Sequence, residues 1–364
     1  MGDVTRGAAA RHRPVRLAIA GLGAMGRVHL RQALELAGAE LTAIASHRAD
    51  VARAVAADLD HEVSVRSFEE LFASDDVDAV VIASRSIDHC KDVLAALEGG
   101  KHVLVEKPGA TSLADHRRLA EAAQAKPHLC VRVAYNRRYD DAYAGARRLV
   151  ESGQIGRPLT VFLTSRDMEW PVGENPRHTG GFLLDMAAHD YDFACSVIGD
   201  DPTEVYAARQ GLVYPELMRA GDLDSALVTV RFRNGALAGI HVCRICRFAH
   251  DTRGEILAEE GSVLLGNAAS APGVTVLGRE DATRFPLDFA ERFEASYRAE
   301  LAAFAAACRG DDAGPASLDE DRKAVAIGIA ARASALQQRP LEVGIDWPWD
   351  GGFPDEPNAG SDVG

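Results

Sequence analysis

Residues 15–26 read VRLAIAGLGAMG, and this stretch decides the fold. It begins as an apolar run typical of a buried strand and continues into Gly21, Gly23 and Gly26, spaced as GxGxxG. The residues that follow repeat apolar side chains at helical spacing. A strand, this loop and a helix in that order predict a βα unit whose loop binds a pyrophosphate.

Each glycine of the loop has a separate task in such a unit. Gly21 permits the tight turn, Gly23 lets the backbone approach an anion, and Gly26 lets the helix pack close to the strand. Ala24 and Met25 complete the first helical turn, where free backbone N–H groups attract negative charge. We therefore predict that these five residues bind a dinucleotide. The alternative is that the glycines serve the turn alone.

Downstream of the loop, apolar strands alternate with amphipathic helices as far as residue 134. The further strands are predicted at residues 39–46, 77–84, 101–108 and 128–136. Parallel strands covered by helices on both faces have this pattern. We predict a doubly wound Rossmann domain over residues 14–134.

Beyond residue 140 the pattern changes to strands with period-two alternation. The dipeptide Asn234-Gly235 is a hairpin signal, and two long helices close the chain. We predict a second, α+β domain over residues 135–349 with a largely antiparallel sheet. Residues 1–13 and 350–364 lack apolar patterning and are predicted to be disordered tails.

Composition argues against several classes of function. The chain has 364 residues and a net charge of −14, which argues against nucleic acid and anionic membranes as partners and fits a small-molecule ligand. We expect a cytoplasmic protein, because no signal peptide and no membrane-spanning apolar run is visible. The six cysteines are scattered, so we expect them to be reduced.

The end of the second predicted strand bears on the choice between NAD and NADP. NAD sites commonly carry Asp or Glu there, about twenty residues after the glycine loop. Here Ser46 occupies that position and Arg48 follows, a pair suited to a 2′-phosphate. We lean towards NADP, with NAD, or use of both, as the alternative. Both side chains could instead simply face solvent.

Two further strand ends carry polar residues. Ser84 ends the third predicted strand, and Glu106, Lys107 and Pro108 end the fourth. Open α/β sheets bind ligands at this edge, so we predict that Ser84, Glu106 and Lys107 bind the cofactor, with Lys107 near the nicotinamide. Pro108 is a candidate for a cis peptide bond. The alternative is an ordinary surface ion pair.

The stretch GGFLLDMAAHDYDFAC, residues 180–195, has the apolar spacing of a buried helix but carries three carboxylates and an imidazole. Asp185 and His189 are four apart and share a helix face. A carboxylate beside an imidazole fixes its tautomer and favours its protonated form, which suits a general base for a hydroxyl group. The alternatives are a solvated ion pair and a metal site of Asp185, His189 and Asp192. We predict no metal, because hydride transfer needs none.

GxGxxG, a strand ending in EKP, and GGxxxDMxxHD together resemble the Gfo/Idh/MocA oxidoreductases, over roughly residues 14–345. Within that family, the subgroup that acts on inositol is the most similar. The resemblance implies a Rossmann domain and a second domain with a large open sheet, through which dimers or tetramers form. It implies Lys107, Asp185 and His189 as the catalytic set. His189 would exchange the hydroxyl proton, Asp185 would orient and charge His189, and Lys107 would hold the reacting oxygen.

The implied reaction is hydride transfer between NADP or NAD and a secondary alcohol or ketone of a cyclic polyol or sugar, myo-inositol first. Candidate substrate contacts are Arg137, Asp167, Asp190, Asp192 and His250. Relatives often carry two tyrosines where this chain has Phe248 and His250, which alters the hydroxyl groups that the site can bind. The alternatives are a sugar or keto-sugar reductase of the same family and a non-catalytic NADP-binding regulator.

Overall fold

The computed structural model describes residues 13–168, 178–219, 221–247, 249–266, 288–311 and 316–344. Most of both predicted tails and Phe248 lie outside these ranges. So do residues 273–280, whose sequence GVTVLGRE predicts a further strand of the second domain.

The first half of the chain folds around a six-stranded parallel sheet. Its strands are β1 Val15–Ala20, β2 Ala39–Ala45, β3 Ser64–Arg66, β4 Ala79–Ile82, β5 His102–Glu106 and β6 Val131–Ala134. The order is β3-β2-β1-β4-β5-β6, and every neighbouring pair is parallel. The predicted doubly wound domain is therefore confirmed. The short edge strand β3 was missed, because its sequence SVR contains no apolar run.

Helices cover both faces of this sheet. They are α1 Ala24–Leu34, α2 Ala49–Ala57, α3 Phe68–Phe72, α4 His89–Glu98 and α5 Leu113–Gln124. Strands β1, β4 and β5 are buried on both faces, as apolar parallel strands between two helical layers must be.

The second half builds a seven-stranded sheet. Its strands are β7 Pro158–Arg166, β8 Pro202–Gln210, β9 Ser225–Phe232, β10 Leu237–Cys243, β11 Asp251–Ala258, β12 Ser262–Leu265 and β13 Leu341–Glu342. The order is β12-β11-β7-β10-β9-β8-β13, and only the β7–β10 pair is parallel. The predicted hairpin joins β9 to β10 at Gly235, whose φ is 89°. The largely antiparallel sheet is thus confirmed.

Seven helices belong to this half of the described chain: α6 Asp141–Glu151, α7 Phe182–Asp185, α8 Ala188–Ile198, α9 Pro215–Arg219, α10 Phe289–Arg292, α11 Glu294–Cys308 and α12 Leu318–Gln337. Among the described residues, no helix is long and apolar enough to cross a membrane. All six cysteines are free thiols, as expected.

The predicted helix at residues 180–195 is two helices. Gly180 and Gly181 have φ of 83° and 93° and lead the chain into α7, whose first N–H, from Phe182, donates to Asp222 Oδ1 at 2.9 Å. Ala187 then adopts φ −81° and ψ −4°, and the N–H groups of Asp190 and Tyr191 both bond to its carbonyl. The chain therefore starts a new helix after α7, and the prediction of one continuous helix was wrong.

Helix α11 joins the two halves of the chain. Leu301, Phe304 and Ala305 of this helix pack in one apolar cluster with Ile19 and Ile44 of the first sheet. The boundary predicted between residues 134 and 135 remains a prediction, and packing continues across it on this side of the molecule. This contact matters for the site, because it holds the second half of the chain against the first sheet.

Candidate active site

The β1–α1 turn has the backbone geometry that a pyrophosphate requires. A Cβ on Gly21, where φ is 107°, would collide with the Ala83 carbonyl, and one on Gly26 would collide with the Gly21 carbonyl. A Cβ on Gly23 would meet nothing within 4 Å, so this side of the turn faces open space. In the part of the chain that the structure describes, no side chain caps α1, which leaves its first N–H groups available to an anion. The predicted dinucleotide loop, including Ala24 and Met25, fits that ligand.

Ser46 and Arg48 follow β2 at the same edge of the sheet. The Arg48 N–H donates to Ser46 Oγ at 3.3 Å, and the Arg48 guanidinium pairs with Asp50 at 2.8 Å. The Arg48–Asp50 pair was not predicted. Its hydrogen bond lowers the pKa of Asp50 and raises that of Arg48, so both groups are charged. A 2′-phosphate would therefore have to bind Arg48 while the Asp50 carboxylate is already paired with it.

Ser84 and Glu106 also lie at this edge, but each side chain has a protein partner. Ser84 Oγ donates to Asp92 Oδ2 at 2.6 Å. Glu106 is buried, and its Oε1 lies 2.7 Å from His29 Nε2 on α1, while its Oε2 accepts the Lys107 N–H at 3.1 Å. Glu106 therefore ties α1 to the end of β5, and its predicted contact with the cofactor stays a prediction.

Lys107 reaches from the first half of the chain into the second. The Lys107–Pro108 peptide is cis, as predicted. Lys107 Nζ donates to the carbonyl oxygen of Asp185 at 2.9 Å and to Asp185 Oδ1 at 2.8 Å. Burial alone would lower the pKa of Lys107, but the charge and hydrogen bond of Asp185, together with the charges of Glu106 and Asp167, raise it. The ammonium has three N–H groups, so one is left for a ligand.

His189 has a different environment from the predicted one. Its ring packs edge-on against Tyr135, with 5.7 Å between centroids, and its buried Nδ1 has no hydrogen-bond partner among the described residues. Burial, together with the charges of Arg137, Lys107 and His250, lowers the pKa of His189 well below 6.5. The imidazole is therefore neutral at physiological pH.

The prediction that Asp185 orients and charges His189 was wrong. The chain starts a new helix between the two residues, and the Asp185 carboxylate pairs with Lys107. Burial and the positive charges around His189 favour its neutral form, and no carboxylate among the described residues is a cause of the opposite shift.

Arg137 and Asp190 form a buried ion pair of 2.8 Å beside this group. Ser165 Oγ bridges them, accepting from Arg137 Nη1 at 3.1 Å and donating to Asp190 Oδ1 at 2.8 Å. Burial raises the pKa of Asp190 more than Arg137 lowers it. Asp190 is fully buried, so its role as a substrate contact, like that of Arg137, stays a prediction.

Asp167 and His250 form a second pair, with 2.8 Å between Oδ1 and Nδ1. Burial would raise the pKa of Asp167, but His250, Lys107 and Arg137 together lower it, so the carboxylate is ionised. The charges of Lys107 and Arg137 affect the pKa values of both Asp167 and His189, and so does the charge of His250. These five residues therefore form one cluster of interacting ionisable groups.

Asp192 does not join that cluster. Both of its oxygens accept from Arg138, at 2.8 Å from Nε, and Arg138 also pairs with Glu320 at 2.6 Å. The metal alternative that joined Asp192 to Asp185 and His189 is contradicted by this placement. A substrate contact by Asp192 stays a prediction, as it does for the equally buried Asp190. Within the described ranges, no group of three His, Cys, Asp or Glu residues is arranged to hold a metal.

Three residues at the site were not predicted: Tyr135, Ser165 and His29. Tyr135 directly follows β6, and Ser165 lies next to the end of β7, so position at a strand end was a usable signal for both. His29 lies on α1 and is fully buried, and nothing in its local sequence indicated a partner 77 residues away.

A dinucleotide loop and a charged lysine beside a neutral imidazole at one sheet edge define a nicotinamide-dependent oxidoreductase. Comparisons with known proteins agree. The family described as "Oxidoreductase family, NAD-binding Rossmann fold" matches residues 15–135, and the "GFO/IDH/MocA C-terminal domain" matches residues 143–264. The chain belongs to the GFO/IDH/MocA family of oxidoreductases.

Individual relatives match over nearly their whole length. Myo-inositol 2-dehydrogenase of Thermotoga maritima is 32% identical over 330 residues, 90% of this chain and 98% of the relative. The scyllo-inositol 2-dehydrogenase (NAD(+)) of Bacillus subtilis is 31% identical, over 91% of this chain and 97% of the relative. A crystal structure of a probable dehydrogenase from Thermotoga maritima superposes with a TM-score of 0.82 at 31% identity, covering 90% and 99% of the two chains.

Proposed function

We propose that this enzyme transfers a hydride between a nicotinamide dinucleotide and a secondary alcohol of a cyclic polyol, with myo-inositol or a close isomer as substrate. The observation that carries the proposal is the ion pair between Lys107, from the first half of the chain, and Asp185, from the second, four residues before His189. The charge of Lys107 also contributes to the lowered pKa of His189. The relatives named as inositol dehydrogenases support the substrate class.

The residues of the first half would hold the cofactor. The pyrophosphate would bind at the N-terminal end of α1. There it would contact Gly21, Gly23 and Gly26 and the backbone N–H groups of Ala24 and Met25. When bound, the nicotinamide supplies the acceptor or donor of the hydride.

Lys107, Asp185 and His189 would act on the alcohol. Lys107 would donate its remaining N–H to the reacting oxygen and stabilise negative charge there. Asp185 keeps the ammonium charged and directed. His189 is neutral and would take the hydroxyl proton on Nε2, because Nδ1 is buried.

We propose NADP as the preferred dinucleotide, supported by Ser46 and Arg48 at the end of β2 and by the lack of a carboxylate at position 46. Asp50 opposes this preference, because its carboxylate already pairs with Arg48. Use of NAD is the alternative.

A panel of inositol isomers, sugars and keto-sugars, each with NAD or NADP, tests the function through the absorbance of the reduced nicotinamide. Oxidation of inositols above all other compounds supports the proposal. Preferential reduction of a keto-sugar identifies a sugar reductase instead. Dinucleotide binding without turnover of any compound identifies a regulator.

We also propose that the chain assembles into a homodimer or homotetramer through the open face of the second sheet. Along β7 and β9 the side chains alternate, and Val161 and Val228 point into the core while Phe162 and Leu227 are 54% and 63% exposed. Leu264 on β12 is 61% exposed on the same face. Burying a side chain of this size contributes about 1.5–3 kcal/mol, which favours a covered face.

A further inference from the structure

The described chain offers His189 no hydrogen bond at Nδ1, so another contact must fix its ring. Resting on the proposed function, we propose that Asp321, on α12, is a positioning residue that holds both reactive groups in place, His189 through Tyr135 and Lys107 through Gly109. Asp321 touches neither group itself.

The Asp321 carboxylate is fully buried and accepts from three donors. Oδ1 accepts from the Tyr135 hydroxyl at 2.7 Å, and Oδ2 accepts from the Gly109 N–H at 3.1 Å. His116 Nε2 lies 3.1 Å from Oδ2. The first turn of a helix favours negative charge, and Asp321 lies in the first turn of α12. The Asp321 carboxylate thus has hydrogen-bond partners although it is buried away from solvent.

The link to Lys107 is short and rigid. Gly109 lies two residues after Lys107, and its N–H is the one bound by Asp321. A Cβ at position 109 would lie 2.7 Å from Asp321 Oδ2, so the backbone of Gly109 packs directly against the carboxylate. A shift of Asp321 would therefore move the segment that carries Lys107.

The link to His189 runs through one aromatic ring. Tyr135 is fully buried, and its ring stands at 86° to the His189 ring. Burial and the charge of Asp321 both raise the pKa of Tyr135, so the phenol remains a hydrogen-bond donor. With its hydroxyl bound, the Tyr135 ring has one orientation, and the imidazole packs against it.

Two substitutions test the proposal, with one control on the same helix. Asp321→Asn weakens all three contacts, and Tyr135→Phe removes only the link towards His189. Ser334→Ala is the control, because Ser334 is equally buried on α12 and bonds to the Ala207 N–H at 3.0 Å and the Arg339 carbonyl at 2.6 Å, on the β8 side.

Hydride transfer should slow in the two test variants. We expect kcat for polyol oxidation to fall roughly ten- to hundredfold in each, with a larger isotope effect from the deuterated carbinol and a KM changed less than kcat. Ser334→Ala should lower Tm yet leave kcat within about twofold. If Asp321→Asn and Tyr135→Phe lower kcat no more than Ser334→Ala does, the proposal is overturned. Should Asp321→Asn not fold, the same comparison with Tyr135→Phe decides it.

A second readout needs no substrate. Acetic anhydride modifies amines, and the rate at which it labels Lys107, followed by mass spectrometry, should rise in Asp321→Asn and not in Ser334→Ala. Equal labelling in the two variants would contradict the positioning role. If the wild-type chain oxidises no polyol, the proposed function fails, and the labelling still decides whether Asp321 positions Lys107.

Discussion

Lys107 and His189 are partly buried neighbours, yet the site pushes their pKa values in opposite directions. Asp185 raises the pKa of Lys107 above its ordinary value, while burial and nearby cations lower that of His189. Acid–base catalysis benefits from this separation, because one group keeps its proton as the other stands ready to accept one.

Replacing Lys107 should affect chemistry far more than cofactor binding. We expect Lys107→Met to lower kcat by about 100- to 1,000-fold, because the reacting oxygen loses its charged donor. The dinucleotide Kd, measured by calorimetry, should change little. Lys101→Met is a matched control, because Lys101 is a buried lysine at the other end of β5 that donates to the carbonyls of Ser74 and Val77. Equal losses of kcat in both variants would refute the catalytic role.

The neutral state of His189 predicts the pH profile. A general base works while it is unprotonated, and a lowered pKa keeps it so to lower pH. We therefore expect the acid limb of kcat/KM for polyol oxidation to lie below pH 6.5, the ordinary value for histidine. Dinucleotide binding measured over the same pH range separates loss of catalysis from loss of affinity. An acid limb above that value would contradict a neutral His189.

The Arg48–Asp50 pair allows a sharp test of cofactor preference. Arg48→Ala should raise the Kd for NADP by about tenfold and leave the Kd for NAD nearly unchanged, because only the former has a 2′-phosphate. Asp50→Asn should act in the opposite direction, since it frees Arg48 of its carboxylate partner. An NADP/NAD ratio that neither substitution moves would remove the basis for the NADP preference.

At the scale of the element, the β1–α1 turn separates folding from binding within one motif. The chain packs tightly at Gly26 and is open at Gly23. Within one GxGxxG motif, Gly26 is therefore required for the packing of the fold, whereas Gly23 is required only for the approach of a ligand.

Two alanine substitutions test this division. Gly26→Ala should lower Tm markedly, because the added Cβ collides with the Gly21 carbonyl. Gly23→Ala should leave Tm almost unchanged and raise the dinucleotide Kd by about tenfold or more, because its methyl group enters the space meant for the pyrophosphate. Thermal unfolding and calorimetry on both variants measure the two effects. An unchanged Kd in Gly23→Ala would mean that the pyrophosphate lies elsewhere.

At the scale of the whole molecule, α11 and α12 bring the two halves together. α11 seals one face of the first sheet, and α12 supplies Asp321 behind the segment that carries Lys107. The site is therefore assembled by helices that lie last in the chain, far from the glycine loop in sequence.

The apolar open face of the second sheet predicts an oligomer that should dissociate when charged residues are introduced on that face. Phe162→Asp with Leu227→Asp should reduce the mass measured by light scattering to that of a single chain, because two carboxylates would be buried without partners. Leu212→Asp is the control, since Leu212 is 78% exposed but lies outside the sheet. An unchanged mass in the double variant would place the interface elsewhere.

Much of the fold followed from local patterns. Apolar periodicity and the glycine spacing predicted five of the six strands of the first sheet and the place of the loop, because these signals act between residues close in sequence. The edge strand β3 and the break after α7 were not predicted. A three-residue strand has no periodicity, and the break interrupts a pattern that is otherwise helical.

The sequence by itself determined that the glycine loop and Lys107 lie at one edge of the first sheet, and that Asp185 and His189 lie on one short segment. Only the tertiary structure decided their partners. Lys107 meets Asp185 across 78 positions, and Tyr135 meets Asp321 across 186. Spacing encodes which residues share a face of a helix or strand. The partners of the buried carboxylates depend on the path of the whole chain, because the donors that reach Asp185 and Asp321 come from distant positions in the sequence.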